Sequence, residues 1–119
     1  MGWSTTIIRI EHPANYSVGV YWGDLDPPGR GHEQQKRRPC VVVSPVAMHQ
    51  TNMAVVCPLT STLRPWPFRL KVTCNGKANS IMVDQIRAVS LQRLDAFIKE
   101  LSANDIQRLQ DIIARMYTI

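Results

Sequence analysis

The 119-residue chain is short of acid: 9 Asp and Glu stand against 14 Lys and Arg, a formal net charge of +5. A nuclease that works through bound metal wants clustered carboxylates, and acids scattered this thinly do not obviously supply them, so metal-free chemistry with no cofactor is expected. Cysteine is scarce as well. Cys40, Cys57 and Cys74 form no CxxC pair, and an odd count beside apolar neighbours such as Val41-Val42-Val43 argues for buried thiols in a reducing cytoplasm rather than disulfides or zinc. No apolar run reaches the length of a membrane span, and the opening carries no secretory pattern. Walker loops, GxGxxG after a strand, HExxH and GxSxG are all missing, which sets aside the enzyme classes built on them.

What is present is an ordinary globular balance, 45% hydrophobic and 19% charged, far from the composition of a disordered chain. The length fits a single domain over residues 1–119, with 1–16 as an N-terminal extension that pattern alone does not place. A domain this small buries a limited core, and dimerisation is a natural way to bury more apolar surface. The excess of positive charge favours phosphate backbones as partners.

Along the chain, Thr6 to Ile10 has the composition of an edge strand. Ser17 to Leu25 reads as a strand rich in aromatic and branched residues. Asp26-Pro27-Pro28-Gly29-Arg30-Gly31-His32 is dense in turn formers and predicts a long loop. Pro39 to Ser44 and Ala54 to Leu59 are continuous apolar runs of strand length, suited to central strands covered on both faces. Phe68-Arg69-Leu70-Lys71-Val72 alternates apolar with basic, the pattern of a strand with one wet face. Asn75-Gly76 signals a tight turn, and Ile81-Met82-Val83 opens a strand running towards Arg87. Leu91 to Leu101 predicts a short helix followed by a short strand. At the end, Ser102 with Asp105 resembles a capping box, and Ile106, Leu109, Ile112, Ile113 and Met116 share one helical face. Short strands closed by one terminal helix indicate a small barrel.

The densest polar cluster is the first loop, with Arg30, His32, Glu33, Gln34, Gln35, Lys36, Arg37 and Arg38. Function concentrates on loops mounted on rigid strands, although a solvated loop is polar anyway. Arg38 precedes Pro39 and the apolar strand, so it is fixed more firmly than its loop neighbours. Its planar fork suits two phosphate oxygens and charge that grows in a transition state, while the plain alternative is a surface salt bridge to Asp24 or Glu33. His32 is a candidate proton donor or acceptor near neutral pH, or a loop histidine without special duty. Thr60-Ser61-Thr62 offers hydroxyls at another strand mouth, or an ordinary turn. Arg64, Trp66 and Phe68 mix cation and aromatic in the manner of single-strand binders, with burial of Trp66 the competing account. Asp84-Gln85-Ile86-Arg87 sets a carboxylate and a cation beside an apolar strand, where an ion pair is the simplest explanation.

Taken in order, Tyr21-Trp22, Asp24-Leu25-Asp26-Pro27, Gly31-His32-Glu33-Gln34, Arg38-Pro39, Val41-Val42-Val43-Ser44-Pro45, Cys57-Pro58-Leu59-Thr60-Ser61 and Asp84-Gln85-Ile86-Arg87 resemble the MazF/PemK family of toxins, from about Val18 to the terminal helix. The resemblance implies an SH3-like β-barrel of the CcdB/PemK type with a C-terminal helix, an α+β fold, and a homodimer. It implies sequence-selective, metal-independent cleavage of single-stranded RNA through the ribose 2′-OH, leaving 2′,3′-cyclic phosphate and 5′-OH ends, and a cognate antitoxin as inhibitor. The family's catalytic arginine falls on Arg38 and its threonine on Thr60. The histidine and aspartate of the PemK-like branch fall on His32 and Asp84. Arg30, Glu33, Gln34, Lys36, Arg37, Ser61, Arg64, Gln85 and Arg87 are the expected RNA contacts. Two positions depart from the pattern. Met82 stands where the PemK-like branch has an arginine two residues before its aspartate, so no pair with Asp84 is expected from that place. Val18-Gly19 replaces a Gly-Asp ahead of the first aromatics. The same fold also carries CcdB toxins that poison gyrase by binding it, and an inactive RNA- or antitoxin-binding module is a third reading.

Overall fold

A computed structural model describes residues 19–25 and 37–118. The expected strand at Thr6–Ile10, the extension at 1–16 and the turn-rich loop at 26–32 lie outside the described residues.

The apolar runs form the middle of one curled sheet. Strand β1 (Gly19–Asp24) pairs antiparallel with β2 (Arg37–Val42), which pairs with β3 (Met53–Thr60). Strands β4 (Arg69–Cys74) and β5 (Lys77–Met82) make a hairpin that joins the far end of β3. Strand β6 (Arg87–Ser90) pairs with the near end of β3, and β7 (Leu94–Glu100) lies on the outer side of β1. Spatial order is therefore β4-β5-β3-β2-β1-β7, with β6 beside β3. The two outer strands approach one another, since the Lys99 ammonium of β7 donates to the Thr73 carbonyl of β4 at 2.8 Å, which curls the sheet towards a barrel.

Each piece follows from the residues that build it. Cys40, Val41 and Val42 are fully buried, as are Val56 and Cys57 opposite them, matching runs covered on both faces. Each such valine removed from water contributes roughly 1.5–3 kcal/mol. All three cysteines are free and buried, as their apolar neighbours implied. Asn75 and Gly76 both have positive φ (54° and 75°), the two-residue turn that suits the twist of the hairpin closed by Cys74 and Lys77. Gly19 and Gly23 mark close approaches: a Cβ on Gly19 would sit 2.7 Å from the Phe97 ring, and one on Gly23 would sit 2.9 Å from Cys40 Sγ. Close passage of Phe97 thus accounts for glycine at one of the two departing positions.

The final helix α1 (Ala103–Met116) is capped by Ser102, whose Oγ accepts from the Asp105 amide at 3.1 Å, worth about 1 kcal/mol. Leu109 is fully buried, with Ile106, Ile112, Ile113 and Met116 partly buried around it. No helix among the described residues is long and apolar enough to cross a membrane.

Two expectations about element type are corrected. The strand opening at Ile81 does not run on to Arg87: β5 ends at Met82, and a 3₁₀ turn at Val83–Gln85 separates it from β6. The reason lies in β3, whose two ends pair with different strands on the same side. Leu59 and Thr60 take β5, while Met53 to Val56 take β6, and the chain needs a corner between them. Between Leu91 and Leu101 the expected helix is only a 3₁₀ turn (Leu91–Arg93) before β7.

Candidate active site and nucleic-acid interface

Arg38 and Thr60 are 22 positions apart in the chain, yet the sheet brings them to one place. Cys40 pairs with Pro58 across β2 and β3. Arg38 lies two residues before Cys40 and Thr60 two after Pro58, so both occupy the same end of this strand pair. Alternation puts them on the face of Cys40 and Pro58, where the covered interior opens to water. Arg38 is exposed and joins no ion pair with another described residue. The salt bridge to Asp24 that its position allowed is not formed. On its other side β2 faces β1, with Gly23 opposite Arg38, so no bulky side chain crowds the guanidinium there.

Thr60 is half-buried, and its Oγ1 accepts from the Thr62 amide at 3.1 Å. The hydroxyl hydrogen is left to donate, as a phosphate oxygen would require. Thr60, Ser80 and Lys71 stand in line across β3, β5 and β4, with Ser80 buried and Lys71 exposed. Ser61 and Arg64 are exposed on the segment beyond Thr60, and Gln85 and Arg87 are exposed past the 3₁₀ corner.

Arg37, one residue from Arg38, is differently engaged. It pairs with Asp95 of β7 at 2.7 Å, and its guanidinium lies 5.7 Å from the centre of the Trp22 ring. Both partners are exposed, so the pair is worth well under ~1 kcal/mol. Between them opens a cleft of ≈ 590 Å³ lined by Asp24, Arg37, Gln92, Arg93, Leu94 and Asp95. His32, Arg30, Glu33, Gln34 and Lys36 lie outside the described residues.

Asp84 sits on the 3₁₀ corner and is held by a residue that the sequence reading did not single out. Arg69 of β4 donates from Nε to Oδ1 at 2.7 Å and from Nη2 to Oδ2 at 3.0 Å, a two-pronged pair. Arg69 stands directly across from Met82, so the cation missing from β5 is supplied by the neighbouring strand. The alternation around Arg69 suggested a wet face, but its side chain is only 10% exposed. The hydrogen bonds from Arg69 hold the Asp84 carboxyl below the usual aspartate range, with burial opposing; the same bonds raise Arg69 above its ordinary value. Asp84 pairs with Arg69, then, and not with Arg87. Beside this pair, the Tyr117 hydroxyl at the end of α1 donates to the Val83 carbonyl at 2.9 Å and pins the corner to the helix.

Burial also pushes the thiols of Cys40 and Cys57 up to about 12, so neither is a nucleophile near neutral pH. Among the described residues no three of His, Cys, Asp and Glu are grouped as a metal would require.

The chain resembles known proteins in both sequence and fold. A putative toxin of Mycobacterium tuberculosis is 38% identical over 60% of this chain and 67% of its own length. The endoribonuclease toxin MazF of Escherichia coli is 30% identical over 60% of this chain and 64% of its own, so the chain spans about two thirds of the curated relatives it matches. MazF of Deinococcus radiodurans has the same fold: its structure alone superposes with TM-score 0.69 at 25% identity over 85% of this chain and 94% of that one. Its structure with MazE gives 0.70 at 25% identity over 82% and 90%. Residues 17–117 match the model of the family described as PemK-like, MazF-like toxin of type II toxin-antitoxin system, and the chain belongs to that family.

Proposed function

We propose that this protein is an endoribonuclease toxin that cuts single-stranded RNA without a metal ion, and that Arg38 and Thr60 carry the chemistry. The supporting observation is their meeting at one end of the β2–β3 pair, with Arg38 exposed and unpaired among the described residues. In the reaction the ribose 2′-oxygen attacks the adjacent phosphorus. The 2′-O–P bond forms, the P–O5′ bond breaks, the departing 5′-oxygen takes a proton from water, and the products carry a 2′,3′-cyclic phosphate and a 5′-OH. Charge grows on the phosphoryl oxygens along the way, and an unpaired guanidinium facing it stabilises the transition state more than the ground state. Thr60 donates to one of those oxygens and fixes its position. His32 is assigned the proton from the 2′-OH, since an imidazole titrates near working pH. Asp84 suits that task poorly, because Arg69 occupies both its oxygens and lowers its affinity for a proton. We assign it to holding Arg69 instead.

Arg30, Glu33, Gln34, Lys36 and Arg37 on one side, and Ser61, Arg64, Gln85 and Arg87 on the other, are proposed to contact the strand. The MazE–MazF structure of D. radiodurans supports an antitoxin as inhibitor. A second copy of the chain completes a homodimer in the cytoplasm, where RNA is to be found.

The test is cleavage of a long single-stranded RNA in excess EDTA by the wild type and by Arg38→Ala, with product ends mapped chemically. Cuts at a short recurring sequence with 5′-OH ends, lost in the mutant, are expected. No cutting of several RNAs by folded protein freed of antitoxin would overturn the reading and point to a binding toxin.

A further inference from the structure

We propose that Trp66 and Phe68 form a stacking platform for an unpaired base of a single-stranded RNA, and that Arg69 is the residue that positions it. The identity of the strand rests on the ribonuclease reading; the platform rests on this chain's own geometry. The arm at 61–68 leaves β3 immediately after Thr60 and enters β4 at Arg69. Trp66 is 41% exposed on it, with Phe68 beside it at 5.4 Å between ring centres and 34° between planes. Exposed aromatics usually have few contacts, but these have several. The Arg69 guanidinium lies 4.8 Å from the Trp66 centre and 6.0 Å from that of Phe68, and is itself locked on Asp84 by two hydrogen bonds. The Arg69 amide also donates to the Trp66 carbonyl at 3.1 Å, which closes the arm. Two aromatic rings are thus held in a set orientation while one of them stays open to water, so little ordering remains to be done when a flat ligand arrives.

The charges around the rings select the ligand. Residues 34–83 contain no Asp or Glu, the arm itself carries Arg64, and β4 continues from Arg69 to the exposed Lys71. Arg64 lies 5.8 Å from the Trp66 centre and is exposed, free to meet a phosphate next to the stacked base. The one acid nearby, Asp84, is neutralised by Arg69. Aromatic faces among cations are what unpaired bases and their phosphates recognise. The arm that carries the rings begins at Ser61, directly after Thr60.

The experiment uses the full chain freed of any partner and a labelled 2′-O-methyl oligoribonucleotide of mixed sequence, which lacks the attacking hydroxyl, alongside cleavage kinetics on long RNA. Trp66→Leu is expected to weaken oligonucleotide binding about tenfold, while Trp66→Phe, which keeps a π-face, retains most of it. Arg69→Gln is expected to weaken binding severalfold and to raise KM with kcat unchanged. Equal affinity for the wild type and Trp66→Leu would overturn the platform and leave the rings to a protein partner. So would equal losses in Trp66→Leu and Trp66→Phe, because packing rather than stacking would then be at stake. If no variant cleaves but the binding order holds, the ribonuclease reading fails and the platform stands.

Discussion

Arg38 and Arg69 both stand at the beginnings of strands, β2 and β4, and both belong to the candidate site, yet their surroundings are opposite. Arg69 is nearly buried, spans a carboxylate with two hydrogen bonds and rests against two aromatic rings. Arg38 is exposed, faces a glycine on one side and has no acid partner among the described residues. A cation already neutralised has little left for a substrate, whereas an unpaired one keeps its full field for a charge that appears only during reaction. The contrast teaches that the arginine with the better contacts is committed to the protein's own structure, whereas the one with the poorer contacts is left open for the proposed chemistry.

The comparison can be broken most directly by removing each charge. Arg38→Ala is expected to lower cleavage by at least about 10²–10³-fold, the usual cost of a lost transition-state donor, and to leave the melting temperature unchanged in a thermal scan. Asp84→Ala should do the reverse. It strands a nearly buried guanidinium, so chemical denaturation is expected to show a loss of about 2 kcal/mol, with cleavage falling mainly through KM. The same pair gives a pH dependence. With the folded carboxyl held below 3.8, its contribution is complete above that value and is lost as pH falls through the lower folded value, a loss that Asp84→Ala should abolish.

A gentler effect is expected at His49, which burial holds below its ordinary 6.5. As pH falls through 6.5 the unfolded chain takes up a proton that the folded chain resists, so stability declines from there downward. Denaturation midpoints measured from pH 7.5 to 5.5 should show this slope and should flatten in His49→Gln. The smallest effect belongs to Arg37 and Asp95. A double-mutant cycle on this exposed pair should return less than about 1 kcal/mol, and a larger value would mean that Arg37 is anchored as Arg69 is.

Much of the fold was legible because it depends on neighbours in the chain. The apolar runs at Pro39 to Ser44 and Ala54 to Leu59 became β2 and β3, Asn75-Gly76 became a two-residue turn, and Ser102 capped the last helix. The 3₁₀ corner at Val83–Gln85 was not legible, since nothing in that segment says that β3 will take two different partners along one edge. Among the polar groups, motifs pointed to Arg38, Thr60 and Asp84 as candidates, but the contact of Arg69 with Asp84 was invisible, and Arg69 was read as one more basic residue on a wet face.

The sequence by itself determined the family, the run of strands and the identity of the polar groups, because periodicity, turn chemistry and short motifs are properties of adjacent residues. Only the tertiary structure decided which cation meets which carboxylate. Register between β4 and β5 sets Arg69 across from Met82 and within reach of Asp84, and register between β2 and β3 brings Arg38 and Thr60 to one end of the sheet. Those pairings depend on how far one strand slides past another, and packing of the whole core fixes that sliding.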